Sequence, residues 1–193
     1  SLCLTSASDM PTQFITGRSN ELATKTVLTH WQDNVLFLCG EEGCGKSLLA
    51  RQWQCEQQAQ QIHFPLTHYA QTPLRCGKYL LDPLDLTDQV GLFHLLNSIK
   101  ETESSLLICA RTPAQQLEIT LPDLASRLRS ARSVSIAPPD DAMLQALFIA
   151  QLCAKQLRVE PDVVSYALAR LPRSFAAIIA CVDMLDQQSL EKQ

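Results

Sequence analysis

The sequence predicts an α/β fold, with a parallel sheet flanked by helices, followed by a smaller unit made of helices alone. Between residues 34 and 136, apolar runs of strand length alternate with stretches of helical periodicity, which is the order of strands joined by helical crossovers. After residues 137–141, Ala-Pro-Pro-Asp-Asp, only helical periodicity remains. The 193 residues are 46% hydrophobic and 19% charged, so the chain can bury the core of one domain with a small appendage.

The strands of the sheet are predicted from short apolar runs, at residues 34–39, 62–66, 79–82, 106–109 and 133–136. A continuous apolar run is expected for a parallel strand that is buried on both faces. The second strand is a weaker prediction. Its Pro65 cannot donate a ladder hydrogen bond, and it therefore belongs at the end of a strand or at the edge of a sheet.

The helices between these strands are predicted from apolar spacing and from capping residues. Ser19 or Asn20 caps the first helix, which runs to about Trp31 and has one apolar face, formed by Leu22, Thr26 and Val27. A later helix is predicted to present Val90, Phe93, Leu96 and Ile99 on one face. After the first helix, we expect helices at residues 45–58, 89–102, 121–130, 141–157, 162–171 and 174–190.

The change of periodicity divides the chain into three parts. Residues 1–13 are mostly polar apart from Leu2-Cys3-Leu4 and are expected to form an extended N-terminal arm. Residues 14–137 form the α/β base, and residues 138–193 form a three-helix lid. Asp140 or Asp141 caps the first lid helix, and Pro161 opens the second.

Charge and cysteine content indicate a soluble protein of a reducing compartment. The net charge of −4 and the pI near 5.5 do not favour strong direct binding to DNA or to an anionic membrane. The eight cysteines form no CxxC pair, so neither a zinc site nor a disulfide framework is expected, and Cys39, Cys109, Cys153 and Cys181 lie in apolar runs as small core residues. With neither a signal peptide nor an apolar run near ~18 residues, a cytoplasmic location is expected.

A phosphate-binding loop is predicted at residues 40–47, which read Gly-Glu-Glu-Gly-Cys-Gly-Lys-Ser and match G-x-x-x-x-G-K-[ST] in full. The glycines permit backbone angles that turn several N–H groups toward one point, where the following helix adds positive potential. Lys46 is expected to reach the outer phosphates of ATP or ADP, and Ser47 to bind Mg²⁺. The residues predicted to bind the nucleotide here are Gly40, Gly43, Cys44, Gly45, Lys46, Ser47 and Leu48.

Asp82 ends the third predicted strand and is the expected second ligand of that Mg²⁺. Many P-loop ATPases carry a second acid directly after this aspartate to activate water, and here that residue is Pro83. Asp85, three residues beyond Asp82, is the candidate substitute for the missing base. We therefore expect hydrolysis by the chain itself to be slow.

Three arginines, Arg127, Arg129 and Arg132, cluster at the end of the last helix of the base. Favourable electrostatics at a helix C-terminus explain one of them without any further role. Alternatively, one of them is an arginine finger that projects onto the γ-phosphate held by a neighbouring protein. Spacing alone does not separate these two interpretations.

Six segments of the chain carry a resemblance to a known family, and Leu-Pro-Asp-Leu-Ala-Ser-Arg-Leu at residues 121–128 is the most specific of them. The other matching segments are residues 91–97, 106–113, 138–142, 156–159 and 173–177. Together they resemble the Hda family, regulators of replication initiation that are homologous to the initiator DnaA, and the likeness runs from about Phe14 to Asp186.

The resemblance implies an AAA+ P-loop NTPase fold and a regulatory function. Proteins of the Hda family bind ADP or ATP, associate with the DNA-loaded sliding clamp through an N-terminal peptide, and trigger ATP hydrolysis in DnaA. Their finger arginine falls on Arg127, and Phe14 and Ile15 fall near the adenine pocket. The clamp-binding peptide is represented by Leu2 and Leu4.

The sequence also departs from the family pattern. The lid arginine that touches the nucleotide in DnaA-like proteins is replaced by Ala176, with Arg173 three residues earlier as the candidate replacement. The position that is often an aspartate after the next strand is Arg111. The glutamine that normally precedes the alternating leucines of the clamp-binding peptide does not precede Leu2 and Leu4.

The predicted function is that of a nucleotide-loaded regulator that acts on DnaA and associates with the sliding clamp; a homodimer is one option for its assembly. Residues 64–79 leave no room for the extra helix with which DnaA grips single-stranded DNA, and this does not favour an origin-melting initiator. Two alternatives stay open. One is an AAA+ ATPase of helicase-loader or clamp-loader type that couples its own hydrolysis to remodelling, and the other is a scaffold that binds no nucleotide.

Overall fold

The computed structural model describes residues 15–67, 69, 74–157 and 159–190. The predicted N-terminal arm, including Leu2 and Leu4, lies outside the described residues, and so does Phe14. In the segment where we expect no room for a further helix, residues 67 and 69 are helical, while residues 68 and 70–73 lie outside the described residues.

The base is built on a five-stranded sheet in which all recorded pairings are parallel. The strand order is β2-β3-β4-β1-β5, so that β4 lies at the centre and β2 and β5 lie at the edges. The strands are β1 (Val35–Cys39), β2 (Gln60–Gln61), β3 (Lys78–Leu81), β4 (Ser105–Ala110) and β5 (Arg132–Ser135). The predicted parallel α/β sheet is therefore confirmed.

Helices cover both faces of this sheet and form the unit that follows it. The helices of the base are α1 (Glu21–Leu28), α2 (Lys46–Gln57), α3 (Gln89–Glu101) and α4 (Pro122–Ser130), with a short 3₁₀ helix at Ala114–Gln116. The helices of the lid are α5 (Asp141–Ala154), α6 (Pro161–Leu168) and α7 (Phe175–Leu190). Within the described ranges, no helix is long and apolar enough to cross a membrane.

The two faces of the sheet bury different side chains because successive residues of a strand point to opposite sides. Leu36, Leu38 and Leu107 face α1 and α2, where Val27 and Leu49 are fully buried. On the other face, β-strand and helix side chains form a second cluster, which includes Phe37, Leu81, Ile108, Leu92, Leu95, Leu124 and Leu128. Helices α3 and α4 therefore lie on the face opposite to α2.

The lid has a hydrophobic cluster of its own. Leu147 and Phe148 of α5 pack with Ile178 and Val182 of α7, and Val164 of α6 completes this cluster. Asp140 caps α5, its Oδ1 accepting a hydrogen bond from the backbone N–H of Met143 at 2.8 Å. The boundary at residue 137 stays a prediction, and Ile15, at the start of the predicted base, packs against this lid cluster.

The structure corrects three predictions about individual elements and one about a cysteine. β2 covers only Gln60–Gln61, and the predicted strand at residues 62–66 is irregular around Pro65. In α1 the buried residues are Ala23, Thr26 and Val27, whereas Leu22 is 72% exposed. Val90 is likewise 57% exposed, because the buried face of α3 is formed by Leu92, Leu95, Leu96 and Ile99. Among the cysteines expected in the core, Cys153 is exposed.

Candidate functional site

The candidate site lies at the edge of the sheet where the carboxyl ends of the parallel strands meet, which is where open α/β sheets bind ligands. β4 lies between β1 and β3, with Cys39 paired to Ala110 and Leu81 paired to Ile108. The phosphate-binding loop follows β1, and Asp82 follows β3. The order of the strands therefore brings together residues that are about 40 apart in sequence.

The loop owes its shape to glycines that adopt left-handed backbone angles. Gly43 has φ +77°, and Gly45, which precedes the first residue of α2, has φ +97°. L-residues with a side chain rarely adopt these angles. Gly40 is required for a different reason, since a Cβ at this position would lie 2.6 Å from the carbonyl oxygen of Ile136.

Lys46 begins α2 and extends back over the loop. Its Nζ donates hydrogen bonds to the carbonyl oxygens of Gly40 and Glu41, both at 2.6 Å, and lies 3.6 Å from Sγ of Cys44. Cys44 itself is 2% exposed and packs beneath the loop. The ammonium group is therefore held over the concave side of the loop, where an anion would receive both its charge and the positive potential of the helix N-terminus.

A cavity of about 940 Å³ opens in front of the loop. Its volume is in the upper part of the ~300–1,000 Å³ range of small-molecule and cofactor sites. Of the predicted site residues, those that line it are Gly43, Gly45, Lys46, Ser47, Leu48, Asp82 and Asp85. Phe175, Ala176 and Ile179 of α7 also line it, so the lid supplies one wall.

Ser47 and Asp82 are the predicted ligands of Mg²⁺, and both line this cavity. A hydroxyl and a carboxylate are hard oxygen donors of the kind that Mg²⁺ prefers, together with phosphate oxygens. Cys109 also lines the cavity; burial raises the pKa of its thiol well above the usual value, and the charge of Asp82 raises it further. The donor set of this chain therefore fits Mg²⁺.

Asp85, the candidate substitute for the catalytic base, forms a hydrogen bond within its own loop. Its Oδ1 accepts a hydrogen bond from the backbone N–H of Thr87 at 2.8 Å. The carboxylate therefore lines the cavity while one of its oxygens stabilises the turn that leads to α3. Its role as a base stays a prediction.

Ile15 lies at the junction of the base and the lid, beyond the residues that line the cavity. Its carbonyl oxygen accepts a hydrogen bond from Nδ2 of Asn20 at 2.8 Å, and Oδ1 of Asn20 accepts one from the N–H of Gly17 at the same distance. The Ile15 side chain packs against the lid cluster. Asn20 stands at the N-cap position of α1, but its side chain does not form the predicted cap hydrogen bond with the helix; it fixes the turn that carries Ile15 instead.

Arg173, the candidate replacement for the lid arginine, forms an ion pair with Asp141. Its Nη2 lies 2.9 Å from Oδ1 of Asp141, and both side chains are exposed. Arg173 is not among the residues that line the cavity, whereas Ala176 does line it. The predicted contact between Arg173 and the nucleotide requires the side chain to leave Asp141.

Arg127 lies on α4, on the face of the sheet opposite to α2. Its Nη1 donates a hydrogen bond to Oδ1 of Asn97, and its guanidinium lies 4.7 Å from the centroid of the Phe93 ring. Both partners belong to α3. Arg127 does not line the cavity, whereas Arg129 and Arg132 are exposed.

Three charged residues of the cavity were not predicted as site residues: Glu42, Arg51 and Arg111. Arg111 directly follows β4, and its Nη2 lies 3.1 Å from Oε2 of Glu42 in the phosphate-binding loop. A signal for Arg51 was present in the sequence, because it lies four residues after Ser47 and therefore on the same face of α2. For Arg111 the sequence indicated only a departure from a family pattern and gave no signal that this residue lines the cavity.

The strand order, the phosphate-binding loop after β1, the acid after β3 and the appended helices define the fold of AAA+ P-loop NTPases, as predicted. No family model matches the chain.

Solved structures of the replication initiator DnaA share this fold. The chain is similar to a DNA replication initiation factor (20% identity, TM-score 0.74, 93% of this chain and 64% of the other). It is also similar to DnaA bound to AMPPCP and single-stranded DNA, with 19% identity and a TM-score of 0.70 over 93% of this chain and 66% of the other. A third similar structure is domain III of Thermotoga maritima DnaA, with 16% identity and a TM-score of 0.75 over 93% of this chain and 89% of the other. The chain thus spans about two thirds of the first two proteins and most of the isolated DnaA domain.

Proposed function

We propose that this chain is a nucleotide-binding regulator that stimulates ATP hydrolysis by the initiator DnaA at the sliding clamp and so prevents over-initiation of replication. The observation that carries the proposal is the position of Arg127 relative to the cavity. The cavity lies beside α2, whereas Arg127 lies on the opposite face of the sheet, against α3. A guanidinium in that position acts on a phosphate that another protein brings.

Binding of ADP or ATP with Mg²⁺ is supported by the cavity itself. Lys46, Ser47 and Asp82 line it together, and they are the residue types on which phosphate and Mg²⁺ binding depends in P-loop proteins. The solved DnaA structure with AMPPCP has the same fold, which further supports this part of the proposal.

A regulatory role, rather than that of a motor, is supported by the residues after β3. Pro83 stands where a second acid would activate water, and the carboxylate of Asp85 already accepts a hydrogen bond within its loop. Slow hydrolysis leaves the chain loaded with nucleotide for long periods. The bound nucleotide then stabilises the arrangement of base and lid.

DnaA and the sliding clamp are proposed as partners on the basis of the resemblance to Hda proteins. The segment at residues 121–128 that carries the resemblance includes Arg127 and forms most of α4. Leu2 and Leu4 are the proposed clamp contacts, and the cytoplasm is the proposed location. A protein that works in this way needs no strong contact with DNA of its own.

The decisive test is the substitution Arg127→Ala in an assay of ATP hydrolysis by DnaA with DNA-loaded clamp. An arginine finger contributes on the order of 10³–10⁵ in rate, so the variant is expected to lose nearly all stimulation while its fold and ADP binding persist. Arg127→Lys is also expected to fail largely, because an ammonium lacks the planar fork of a guanidinium.

The matched control is Arg129→Ala, which removes an exposed arginine two residues away on the same helix. It is expected to stimulate DnaA nearly as well as the wild type. If Arg127→Ala stimulates at the wild-type rate, the finger assignment and the regulatory mechanism are both wrong.

A further inference from the structure

The charged side chains of the cavity differ in whether the protein itself already satisfies them. Six of them line it: Glu42, Lys46, Arg51, Asp82, Asp85 and Arg111. Glu42 and Arg111 form an ion pair. Lys46 donates to two carbonyl oxygens of its loop, and Asp85 accepts a hydrogen bond within its turn. Within the described ranges, the side chains of Arg51 and Asp82 form neither a hydrogen bond nor an ion pair.

Arg51 extends the cationic part of the cavity along α2. It lies four residues after Ser47, which is one turn further on the same face of the helix and about 6 Å along its axis. Side chains of an α-helix lean toward the helix N-terminus, and this agrees with the place of Arg51 in the cavity wall. A cation that the described part of the protein leaves unpaired is therefore added to Lys46 at the start of the same helix.

The wall that the lid supplies has the opposite character. Its residues are Phe175, Ala176 and Ile179 of α7, and none of them is charged. Arg173, which precedes α7, is paired with Asp141 and does not line the cavity. Among the described residues, the cations that face a ligand in this cavity thus all belong to the base.

We propose that Arg51 binds the anionic part of the nucleotide, so that the base supplies the cations of the site and the lid supplies an apolar wall. This inference rests on nucleotide binding as proposed above, and it adds a contact that the phosphate-binding motif does not contain. A guanidinium donates two parallel hydrogen bonds to a phosphate group. Arg51 breaks no ion pair of the described protein to do so, whereas Arg173 must first leave Asp141.

The test measures the dissociation constant of ADP with Mg²⁺ by calorimetry on the full chain, at several concentrations of NaCl. Arg51→Met removes the charge and keeps an apolar stem. It is expected to weaken ADP binding about tenfold, because a hydrogen bond to a charged group is lost. The affinity that remains is expected to depend less on salt, since one contact between opposite charges is gone.

The matched control is Arg132→Met, which removes an exposed arginine of β5 that does not line the cavity. It changes the net charge of the chain by the same amount. We expect it to keep both the wild-type dissociation constant and its salt dependence.

A second variant moves the charge to the lid. Ala176→Arg places a guanidinium on the wall that α7 forms. In the Arg51→Met background it is expected to recover several-fold of the lost affinity for ADP. In the wild-type background the gain is expected to be smaller, because Arg51 already meets the charge of the ligand there.

An unchanged dissociation constant in Arg51→Met overturns the inference and leaves nucleotide binding intact. A loss of affinity with unchanged salt dependence also overturns it, since the guanidinium then stacks on the base and does not meet the anion. An equal gain from Ala176→Arg in both backgrounds has the same consequence. If the wild-type chain does not bind ADP at all, the proposed function fails together with this inference.

Discussion

Lys46 is the residue on which nucleotide binding is expected to depend most. Its ammonium already lies over the loop, 2.6 Å from two carbonyl oxygens. ADP with Mg²⁺ at ~100 times its dissociation constant adds about 2.7 kcal/mol to the stability of the folded state, which corresponds to a rise in Tm of roughly 5–11 °C for a chain of this size. We expect Lys46→Ala to abolish most of that rise.

Differential scanning fluorimetry with and without ADP measures this effect directly. Lys100→Ala removes an exposed lysine at the end of α3 and serves as the control, with the full wild-type rise expected. If the wild type itself shows no rise with millimolar ADP or ATP, the cavity is not a nucleotide site.

The contacts of individual side chains were the least predictable part of the candidate site. The sequence identified Lys46, Ser47 and Asp82 because a local pattern of residue types sets their positions. It did not reveal that Arg111 reaches Glu42, since that contact requires β4 to lie beside β1, and the two segments are about 70 residues apart. The pairing of Arg173 with Asp141 escaped prediction for the same reason.

The phosphate-binding loop and the lid meet at Gly43, so this glycine is expected to be sensitive to any side chain. A Cβ there would lie 2.5 Å from Cβ of Ser174, and φ is +77°. We expect Gly43→Ala to destabilise the fold by about 1–3 kcal/mol, because alanine in this backbone conformation is strained and the lid must shift to admit it.

Chemical denaturation of the purified variants measures this loss. Gly77→Ala is the control, since a Cβ there meets nothing closer than 3.7 Å. The double variant Gly43→Ala/Ser174→Gly is expected to regain only the part of the stability that the clash with Ser174 removes, because the strained backbone angle at residue 43 remains. A Gly43→Ala variant as stable as the wild type contradicts the contact.

The elements that the sequence predicted well are those with strong local patterns. β1 and β4 are continuous apolar runs, and their buried residues agree with the prediction. The prediction of the buried face of α3 was wrong because the predicted series 90, 93, 96 and 99 repeats every three residues. Such a series turns by about 60° per step around a helix of 3.6 residues per turn, so its first member no longer faces the core.

β2 was mispredicted for a different physical reason. The apolar residues Ile62 and Leu66 are buried, which a strand would also explain. The N–H of Ile62 still donates a hydrogen bond to the carbonyl oxygen of Leu80 in β3 at 2.8 Å, but Leu66 packs beyond this pairing. A hydrophobicity pattern does not distinguish a buried residue of a strand from a buried residue that lies outside the ladder of backbone hydrogen bonds. The parallel sheet and the helical lid were nevertheless predictable, because they depend on periodicity over the whole chain.

For the molecule as a whole, we expect slow hydrolysis when the chain is alone. Steady-state turnover should lie well below the ~1–100 s⁻¹ of kinases, because Pro83 replaces the expected base. A phosphate-release assay measures it, and Asp85→Asn reports whether that carboxylate contributes to the residual rate. Rapid turnover by the wild type would instead favour a loader-type ATPase.

Clamp binding is expected to depend on Leu2 and Leu4. Alternating apolar residues in an extended segment fill successive pockets of a partner, and backbone hydrogen bonds add affinity. In a pull-down with the purified clamp, Leu2→Ala/Leu4→Ala should lose retention, while Leu22→Ala, which removes a leucine that is 72% exposed on α1, should keep it. Equal retention of all three proteins rejects this contact.

The contact between the last helix of the lid and the phosphate-binding loop has a thermodynamic consequence. The N–H of Phe175, the first residue of α7, donates a hydrogen bond to the carbonyl oxygen of Gly43 at 3.1 Å, and α7 also forms one wall of the cavity. A ligand that alters the loop therefore biases the position of the lid. Coupling between two binding events is reciprocal. If the ligand changes the affinity of the chain for a partner that binds the lid, that partner changes the affinity for the ligand by the same factor.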